Sequence, residues 1–300
     1  MAQEDQLKAM FWNIGKQLTE KKLELLKEAM SSIKPDIFCI AEGSYSKNDC
    51  QLLVKTFSDN GYKTYYSPLF PEPKEMGESD DAELGYVDKR YRLKIFHKET
   101  ITLETPFTFT ALRENGRIIV LKIFYKYKPV TFIFVHNKSK EGETEDTLYQ
   151  TDHIKGIYEL IQVGKTVKEK ERLIIMGDFN LNPWDRLLLH KTHLNTSFFQ
   201  NRNSILQRHP EKCFYNPIVD SLSKSRTVNL GGTHLSQGKK WGVFDFVLYD
   251  TKDIELDFDI VTEFDGGSKL LNSSTKIKKD FFNHHLDHLP ILATITKFNL

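Results

Sequence analysis

The 300-residue sequence has few cysteines, no excess of charge of either sign and no long apolar run. Its three cysteines, Cys39, Cys50 and Cys213, follow no regular spacing, so a disulfide framework is not expected. No apolar stretch approaches the roughly 20 residues that a membrane-spanning helix requires. The first residues also lack the basic and apolar blocks of a secretory signal. These absences predict a reduced, cytoplasmic protein without a membrane segment.

The balance of charges gives no indication of nucleic-acid binding. The 42 basic and 41 acidic residues nearly cancel, whereas a strongly basic chain would indicate nucleic-acid binding from its bulk charge alone. Apolar residues make up 39% of the chain and charged residues 28%, which is typical of a folded globular protein. Because the length is near the upper limit for one hydrophobic core and no repeat or linker divides the chain, we predict a single domain over residues 1–300.

Short apolar runs predict a chain dominated by β-strands. A run from Ala9 to Ile14, a helical segment from about Thr19 that Pro35 ends, and a strand from Asp36 to Ala41 form a strand–helix–strand unit. Four strand-like stretches between Tyr91 and Val135 predict an antiparallel meander. We therefore predict an α/β (α+β) protein, a four-layer αββα sandwich of two mixed β-sheets with helices on the outer faces.

Polar residues that are able to do chemistry repeatedly follow or interrupt these apolar runs. Loops at strand ends are held by a rigid sheet, and binding and catalytic groups are often placed there. The candidates are Asn13, Glu42, His136, Asp178, Asn180, Asp245, Asp287 and His288.

Asp245 lies between Phe244 and Phe246, where burying an unpaired carboxylate would be costly. A histidine is a suitable partner, because the carboxylate fixes the tautomer and leaves the other ring nitrogen as a base. An aspartate facing water at a strand edge is the competing interpretation.

The candidates contain the groups that phosphodiester hydrolysis requires. Glu42 and Asp287 are able to bind a hard cation such as Mg²⁺. His288 is able to act as the base. His136, with Asn180 or Asn13, supplies donors for the developing oxyanions.

Six motifs in chain order carry a family resemblance. They are Phe11-Trp12-Asn13-Ile14, Ala41-Glu42, Val135-His136-Asn137-Lys138-Ser139, Met176-Gly177-Asp178-Phe179-Asn180, Phe244-Asp245-Phe246-Val247 and Asp287-His288-Leu289-Pro290. In these motifs the sequence resembles the endonuclease/exonuclease/phosphatase superfamily, which includes deoxyribonuclease I, abasic-site endonucleases, inositol-polyphosphate 5-phosphatases and neutral sphingomyelinases. The motifs span nearly the whole chain, and Gly-Asp-Phe-Asn is the most specific of them.

The resemblance implies a metal site. Glu42 would be the main ligand of Mg²⁺, with Mn²⁺ as a substitute, and Asn13 and Asp287 would lie nearby. Two departures from the family pattern concern fine positioning. Ala41 stands where the family often has Gln, and Leu286 stands where it usually has Ser.

The resemblance also implies roles in the reaction. Asp178 would orient or deprotonate the attacking water, Asn180 would hold the phosphate, and His136 would contact it. His288, oriented by Asp245, would act as base or transition-state stabiliser. Asn13, Arg113, Arg117 and Lys138 would contact the substrate.

The predicted activity is that of a nuclease hydrolysing the DNA or RNA backbone. The motif His136-Asn137-Lys138-Ser139-Lys140 resembles the corresponding motif of nuclease members. The segment from Asn201 to Val228 has five basic and two acidic residues. One alternative is a phosphatase or phospholipase acting on inositol phosphates or sphingomyelin-type lipids. The other is a catalytically inactive binding protein on the same fold.

Overall fold

The computed structural model describes residues 6–42, 46–65, 93–104, 117–137, 151–152, 154–159, 172–190, 194–198, 213–224, 232–236, 240–267, 269–271, 277 and 286–299. In these ranges the helices are α1 (Glu20–Ser32), α2 (Lys47–Ser58), α3 (Arg186–Leu189) and α4 (Ile218–Lys224), and residues 154–159 are also helical. None of the helices there combines the length and the apolar character needed to cross a bilayer.

The strands of the first half are β1 (Leu7–Asn13), β2 (Ile37–Ala41), β3 (Tyr62–Tyr65), β4 (Leu93–Lys98), β5 (Thr102–Glu104), β6 (Ile118–Tyr125) and β7 (Lys128–His136). Those of the second half are β8 (Arg172–Asp178), β9 (Thr196–Ser197), β10 (Phe214–Tyr215), β11 (His234–Ser236), β12 (Lys240–Gly242), β13 (Asp245–Tyr249), β14 (Ile254–Ile260) and β15 (Ile291–Phe298).

Two large mixed sheets form the framework. The first has the strand order β14-β15-β1-β2-β4-β3, and the second has the order β5-β6-β7-β8-β13-β10-β9. Strands β11 and β12 form a separate two-stranded sheet. Together with the helices, these sheets confirm the predicted sandwich.

The alternation of side chains along β1 shows how the layers are held together. Leu7, Ala9 and Phe11 belong to one buried cluster that includes residues of both large sheets. Met10 and Trp12 point to the opposite face and pack in a second cluster with α1 and α2. Because successive side chains of a strand point to opposite faces, a strand that is apolar on both faces requires a layer on each side.

Helix α1 begins where the sequence predicts it. The side chain of Thr19 caps the helix by accepting a hydrogen bond from the backbone N–H of Lys22, 3.3 Å away. Leu25, Leu26 and Met30 lie on the face that packs against the first sheet. The predicted strand–helix–strand unit is therefore confirmed, with β1 and β2 pairing in parallel.

The predicted meander is wrong in one respect. β5, β6 and β7 pair antiparallel in the second sheet, but β4 lies in the first sheet between β2 and β3. The composition of a strand indicates that it is buried and does not identify its neighbours. Strand β14 was not predicted, although its residues alternate regularly between buried and exposed positions.

Candidate active site

Three of the predicted site residues lie side by side across the second sheet. His136 at the end of β7 is in register with Asp178 at the end of β8, and Asp178 is in register with Asp245 at the start of β13. In the first sheet, Asn13 ends β1 beside Ala41, the last residue of β2. The two sheets therefore present their polar residues at a common edge.

Gly177 explains why the Gly-Asp-Phe-Asn motif begins with glycine. Its φ is +146°, and a Cβ atom placed there would lie 1.9 Å from the backbone oxygen of Val135. The parallel strands β7 and β8 approach so closely at this point that only a residue without a side chain fits. This close approach sets the positions of His136 and Asp178.

Asp178 joins the two sheets. Its side chain is almost fully buried, and its Oδ2 atom accepts a 3.1 Å hydrogen bond from Nδ2 of Asn13, which lies 165 residues away in sequence. Its Oδ1 atom accepts from the backbone N–H of Asn180 at 2.9 Å. The Nδ2 atom of Asn180 in turn donates to the backbone oxygen of Asn137 at 2.8 Å. Asp178 is therefore held in one orientation by residues of both sheets.

Two predicted site residues have left-handed backbone conformations. Glu42 has φ +62° and Asn180 has φ +48°. A non-glycine residue in this region is uncommon, and such residues often occur at functional sites where the surrounding structure holds them. Glu42 directly follows β2 and Asn180 lies two residues after the end of β8, where the chain must turn at the edge of a sheet.

His136 lies between Glu42 and Asp178. Its Nε2 atom is 3.4 Å from Oε1 of Glu42 and 3.9 Å from Oδ2 of Asp178. The guanidinium of Arg117 is buried and donates to the backbone oxygen of His136 at 3.2 Å. Arg117 thus contacts the site through the His136 backbone, and its contact with substrate stays a prediction. Arg113 and Lys138 lie outside the described residues.

The predicted contact between Asp245 and His288 is present. The Nδ1 atom of His288 donates to Oδ2 of Asp245 at 2.8 Å, and both side chains are buried. Thr233 holds the start of β13, because its Oγ1 atom accepts from the backbone N–H groups of Phe244 at 3.1 Å and Asp245 at 2.9 Å. The Nε1 atom of Trp12 donates to the backbone oxygen of His288 at 3.1 Å.

Burial and neighbouring charge shift the pKa values of this pair. Burial raises the pKa of the Asp245 carboxyl, and the charge of His288 acts against that rise. Burial alone would lower the pKa of His288, but Asp245, Asp178 and Asp287 outweigh it and raise that pKa to about 10. In the metal-free protein, the imidazole therefore carries a positive charge at neutral pH.

Asp287 has a second histidine neighbour that the sequence did not indicate. The Nε2 atom of His234 is 3.5 Å from Oδ2 of Asp287, and Nε2 of His288 is 3.9 Å from Oδ1 of the same carboxylate. Burial, which would raise the pKa of Asp287, is outweighed by the hydrogen bond from His234 and the charge of His288, so this pKa is lowered. Nothing in the residues around His234 resembles the six motifs.

Lys22 is a buried cation that the sequence analysis did not single out. It is 1% exposed, and its Nζ atom donates to the backbone oxygen of Gln17 at 2.7 Å. Burial lowers its pKa to about 8, against the raising effects of Asp287 and Glu42. Lys22 lies three residues before Leu25 and four before Leu26, which places it on the apolar face of α1. This spacing was the feature of the sequence that could have predicted its burial.

The oxygen donors of Glu42, Asn13 and Asp287 fit a hard divalent cation. Mg²⁺ is commonly bound by one or two carboxylates and keeps several of its waters. Glu42 and Asp287 both raise the pKa of Lys22, so their negative potentials overlap at one place that favours positive charge. Among the described residues, histidine and aspartate side chains form two compact groups. One group is His234, Asp287 and His288, and the other is Asp178, Asp245 and His288. Glu42 belongs to neither group.

Comparison with known proteins agrees with this geometry. Residues 10–258 match the Endonuclease/Exonuclease/phosphatase family. A search of functionally curated proteins found no match to the sequence.

Several solved structures share the fold. The human Nocturnin catalytic domain with bound sulfate anion is 16% identical with a TM-score of 0.57, covering 98% of this chain and 95% of that one. TDP2 of D. rerio complexed with single strand DNA product is 11% identical with a TM-score of 0.57, covering 98% and 100%. An AP endonuclease from Archaeoglobus fulgidus is 16% identical with a TM-score of 0.51, covering 97% and 100%. At these identities the likeness shows the fold.

The family match spans most of the chain and includes Asn13, Glu42, His136, Asp178, Asn180 and Asp245, and the fold brings these residues to one edge of the two sheets. The chain belongs to the Endonuclease/Exonuclease/phosphatase family and is a phosphoesterase.

Proposed function

We propose that this phosphoesterase is a Mg²⁺-dependent nuclease that hydrolyses the phosphodiester backbone of DNA or RNA by attack of an activated water. The observation that carries this proposal is the hydrogen bond from Asn13 to Asp178, which joins the two sheets at the edge where the other candidate groups converge. A reaction in which water attacks one side of a phosphate requires groups fixed on facing surfaces.

Asp178 is the group that orients the attacking water. Its two carboxylate oxygens already accept hydrogen bonds from the Asn180 backbone and from Asn13, so the carboxylate does not rotate. A carboxylate oxygen has a second lone pair, which is free to accept from a water molecule. Asn180, whose side chain donates to the backbone oxygen of Asn137, and the neighbouring His136 hold phosphate oxygens through their side chains.

His288 stabilises charge that develops on the phosphate. The raised pKa keeps the imidazole protonated near neutral pH, and Asp245 fixes the orientation of the ring through Nδ1. The Nε2 atom, 3.9 Å from Asp178, therefore presents a proton to the same region in which Asp178 holds the water. A buried, preorganised donor of this kind is most effective when water is excluded.

Glu42, Asn13 and Asp287 would hold Mg²⁺, with Mn²⁺ as a substitute. The bound ion offsets negative charge on the phosphate. The positive charge of Lys22 interacts with the carboxylates of Glu42 and Asp287 and therefore competes with the bound ion for them.

Nucleic acid is proposed as the substrate because of local basic sequence and not bulk charge. Lys138 and Lys140 lie two and four residues after His136, and five of the residues from Asn201 to Val228 are basic. The TDP2 structure with a single strand DNA product shows that a protein of this fold accommodates DNA. Lysines that neutralise backbone phosphates release counterions, so binding by this chain should weaken as salt rises.

A panel of labelled DNA, RNA, inositol phosphate and sphingomyelin tests the proposal. With Mg²⁺ we expect product from DNA or RNA, and with EDTA we expect none. The variant Asp178→Asn should bind an oligonucleotide without cutting it. Reversing Lys138 and Lys140 to Glu should weaken this binding and flatten its dependence on salt.

The matched control reverses Lys126 and Lys297 to Glu, because these exposed lysines lie at the strand ends opposite to the site. This control should keep both the affinity and the salt dependence. If the Asp178→Asn variant binds no DNA or RNA at low salt yet binds a phosphorylated headgroup, the nuclease proposal fails and the phosphatase or phospholipase alternative takes its place.

A further inference from the structure

His234 is held directly opposite His288. The two residues form an antiparallel bridge between β11 and the segment before β15. The backbone N–H of Leu235 donates to the oxygen of Asp287 at 2.8 Å, and that of Leu289 donates to the oxygen of Thr233 at 2.8 Å. Both histidines therefore project from backbone that is fixed on each side.

The side chains of His234, Asp287 and His288 converge. The imidazole rings have centroids 4.4 Å apart at 45°, and Phe244 supports the His234 ring at 5.1 Å. One potential ligand atom of each of the three residues lies within 4.8 Å of the others. The closest pair is His234 Nε2 with Asp287 Oδ2 at 3.5 Å.

These distances are close to those of a tetrahedral metal site. Bonds of about 2.0–2.1 Å from zinc to nitrogen and oxygen place neighbouring ligand atoms about 3.3 Å apart. Nε2 of His234 lies 3.5 Å from Oδ2 of Asp287, and Nε2 of His288 lies 3.9 Å from Oδ1, so each imidazole is near this separation from a different oxygen of the carboxylate. Two imidazoles and one carboxylate also form a donor set that favours borderline-soft ions such as Zn²⁺ over Mg²⁺.

His288 is already arranged as a metal ligand. It is 7% exposed, and its Nδ1 atom donates to Asp245, which leaves Nε2 as the atom that faces Asp287. A histidine that ligates a metal commonly donates its other ring nitrogen to a carboxylate, which fixes the ring and strengthens it as a ligand.

We propose that His234, Asp287 and His288 form a second cation site that binds Zn²⁺ or a similar borderline-soft divalent ion. Asp287 belongs to both this site and the proposed Mg²⁺ site, and its two carboxylate oxygens allow it to bind both ions. The ion would bind the Nε2 atom of His288. Because the proposed reaction uses that atom, an occupied site inhibits the enzyme. The inhibition rests on the proposed function, whereas the binding does not.

Calorimetric titration with ZnCl₂ in saturating Mg²⁺ tests the site. The wild-type protein should bind one Zn²⁺, and His234→Phe should bind it at least about tenfold more weakly, because phenylalanine keeps the ring and removes the ligand atom. His190→Phe is the matched control, since His190 lies at the end of α3 outside this group, and it should bind Zn²⁺ as the wild type does. His234→Gln provides a second variant if the phenylalanine variant does not fold.

Equal Zn²⁺ affinity in the wild type and a folded His234 variant overturns the proposal, as does failure of the wild type to bind the ion. A second measurement uses nuclease activity in Mg²⁺ with added Zn²⁺. The wild type should be inhibited at lower Zn²⁺ than His234→Phe, each compared with its own rate without Zn²⁺. Zn²⁺ binding without hydrolysis of any substrate in the panel would refute the proposed nuclease function and leave the cation site standing.

Discussion

The Nδ1 atom of His288 donates a 2.8 Å hydrogen bond to the Oδ2 atom of Asp245, and the two residues are 43 positions apart in the chain. Asp245 is fully buried between apolar neighbours of β13. A carboxylate in such surroundings is stabilised when it is paired, and removing one partner of a buried pair typically costs about 3–5 kcal/mol. This hydrogen bond therefore serves both the stability of the site and the orientation of the imidazole.

We expect the losses from Asp245→Ala and His288→Ala not to add. If Asp245 acts by orienting His288, the double variant should have nearly the same kcat/KM as the slower single variant. Steady-state kinetics of the wild type, both single variants and the double variant measure this coupling. Losses that multiply in the double variant would show that the two residues act independently.

The stability of the protein in EDTA should depend on pH through His288. Its folded-state pKa is raised to about 10 from an ordinary value of 6.5, so the folded protein holds a proton that the unfolded chain lacks between these values. The stabilisation is fully present below about pH 6.5 and is lost as pH rises through about 10. The difference in unfolding free energy between wild type and His288→Ala should therefore shrink over this range in urea titrations.

His97 provides a control of opposite sign. Burial lowers the pKa of His97 below its ordinary value, so the unfolded chain binds a proton there more readily than the folded protein. The contribution of His97 to the free energy of unfolding should change only below about pH 6.5, where the wild type loses stability as the pH falls. A His288 profile that follows the His97 profile would contradict the raised pKa of His288.

Glu42→Gln should fold normally and lose most of its metal-dependent activity. The amide keeps the shape of the side chain but removes the negative charge that would bind Mg²⁺ in the proposed site, so high Mg²⁺ should restore activity in part. Activity measured across a Mg²⁺ titration tests this, with the exposed Glu24→Gln as the matched control. Full activity of Glu42→Gln in EDTA would refute the metal assignment.

Lys22→Met should stabilise the protein in EDTA near neutral pH. The pKa of Lys22 is lowered from 10.5 to about 8, and each pKa unit corresponds to about 1.4 kcal/mol of unfavourable interaction with the charged form. Because the folded-state pKa is lowered, wild-type stability rises between about pH 8 and 10.5, and the advantage of the methionine variant disappears over that range. Urea unfolding at several pH values measures the change.

The same substitution should strengthen Mg²⁺ binding, because it removes a positive charge that interacts with Glu42 and Asp287. Lys21→Met is the control, since Lys21 is the adjacent lysine of α1 and its side chain is 44% exposed. Calorimetry with MgCl₂ compares the two variants. Equal Mg²⁺ affinity in Lys22→Met and Lys21→Met would show that Lys22 does not affect the metal site.

Gly177→Ala should destabilise the protein far more than Gly61→Ala. Both glycines have positive φ, +146° and +82°, but an added Cβ atom meets the backbone of Val135 at Gly177 and open space at Gly61. Gly61→Ala should cost about 1–2 kcal/mol from backbone strain alone. Gly177→Ala should exceed that cost, because β7 and β8 must separate. Equal losses in urea unfolding would show that the close approach of the strands is unimportant.

Much of the site could be predicted from the sequence because it depends on local order. An apolar run predicts a strand, the next polar residue marks its end, and a rigid sheet holds that end in place. This reasoning, with the family resemblance, selected Asn13, Glu42, His136, Asp178 and His288 as candidates, and their roles stay predictions. The start of α1 at the Thr19 cap was also local, since it depends on contacts within four residues.

The tertiary structure decided which of these groups meet. The contact of Asn13 with Asp178 and that of Asp245 with His288 depend on which strands pair, and local periodicity identifies the buried face of a strand without its neighbours. For the same reason β4 was assigned to the wrong sheet. His234 and Lys22 were missed because their roles depend on burial and on charges that arrive from distant segments. Charge interactions depend on distance in space, so the sequence determined the groups that are present and the fold determined their chemistry.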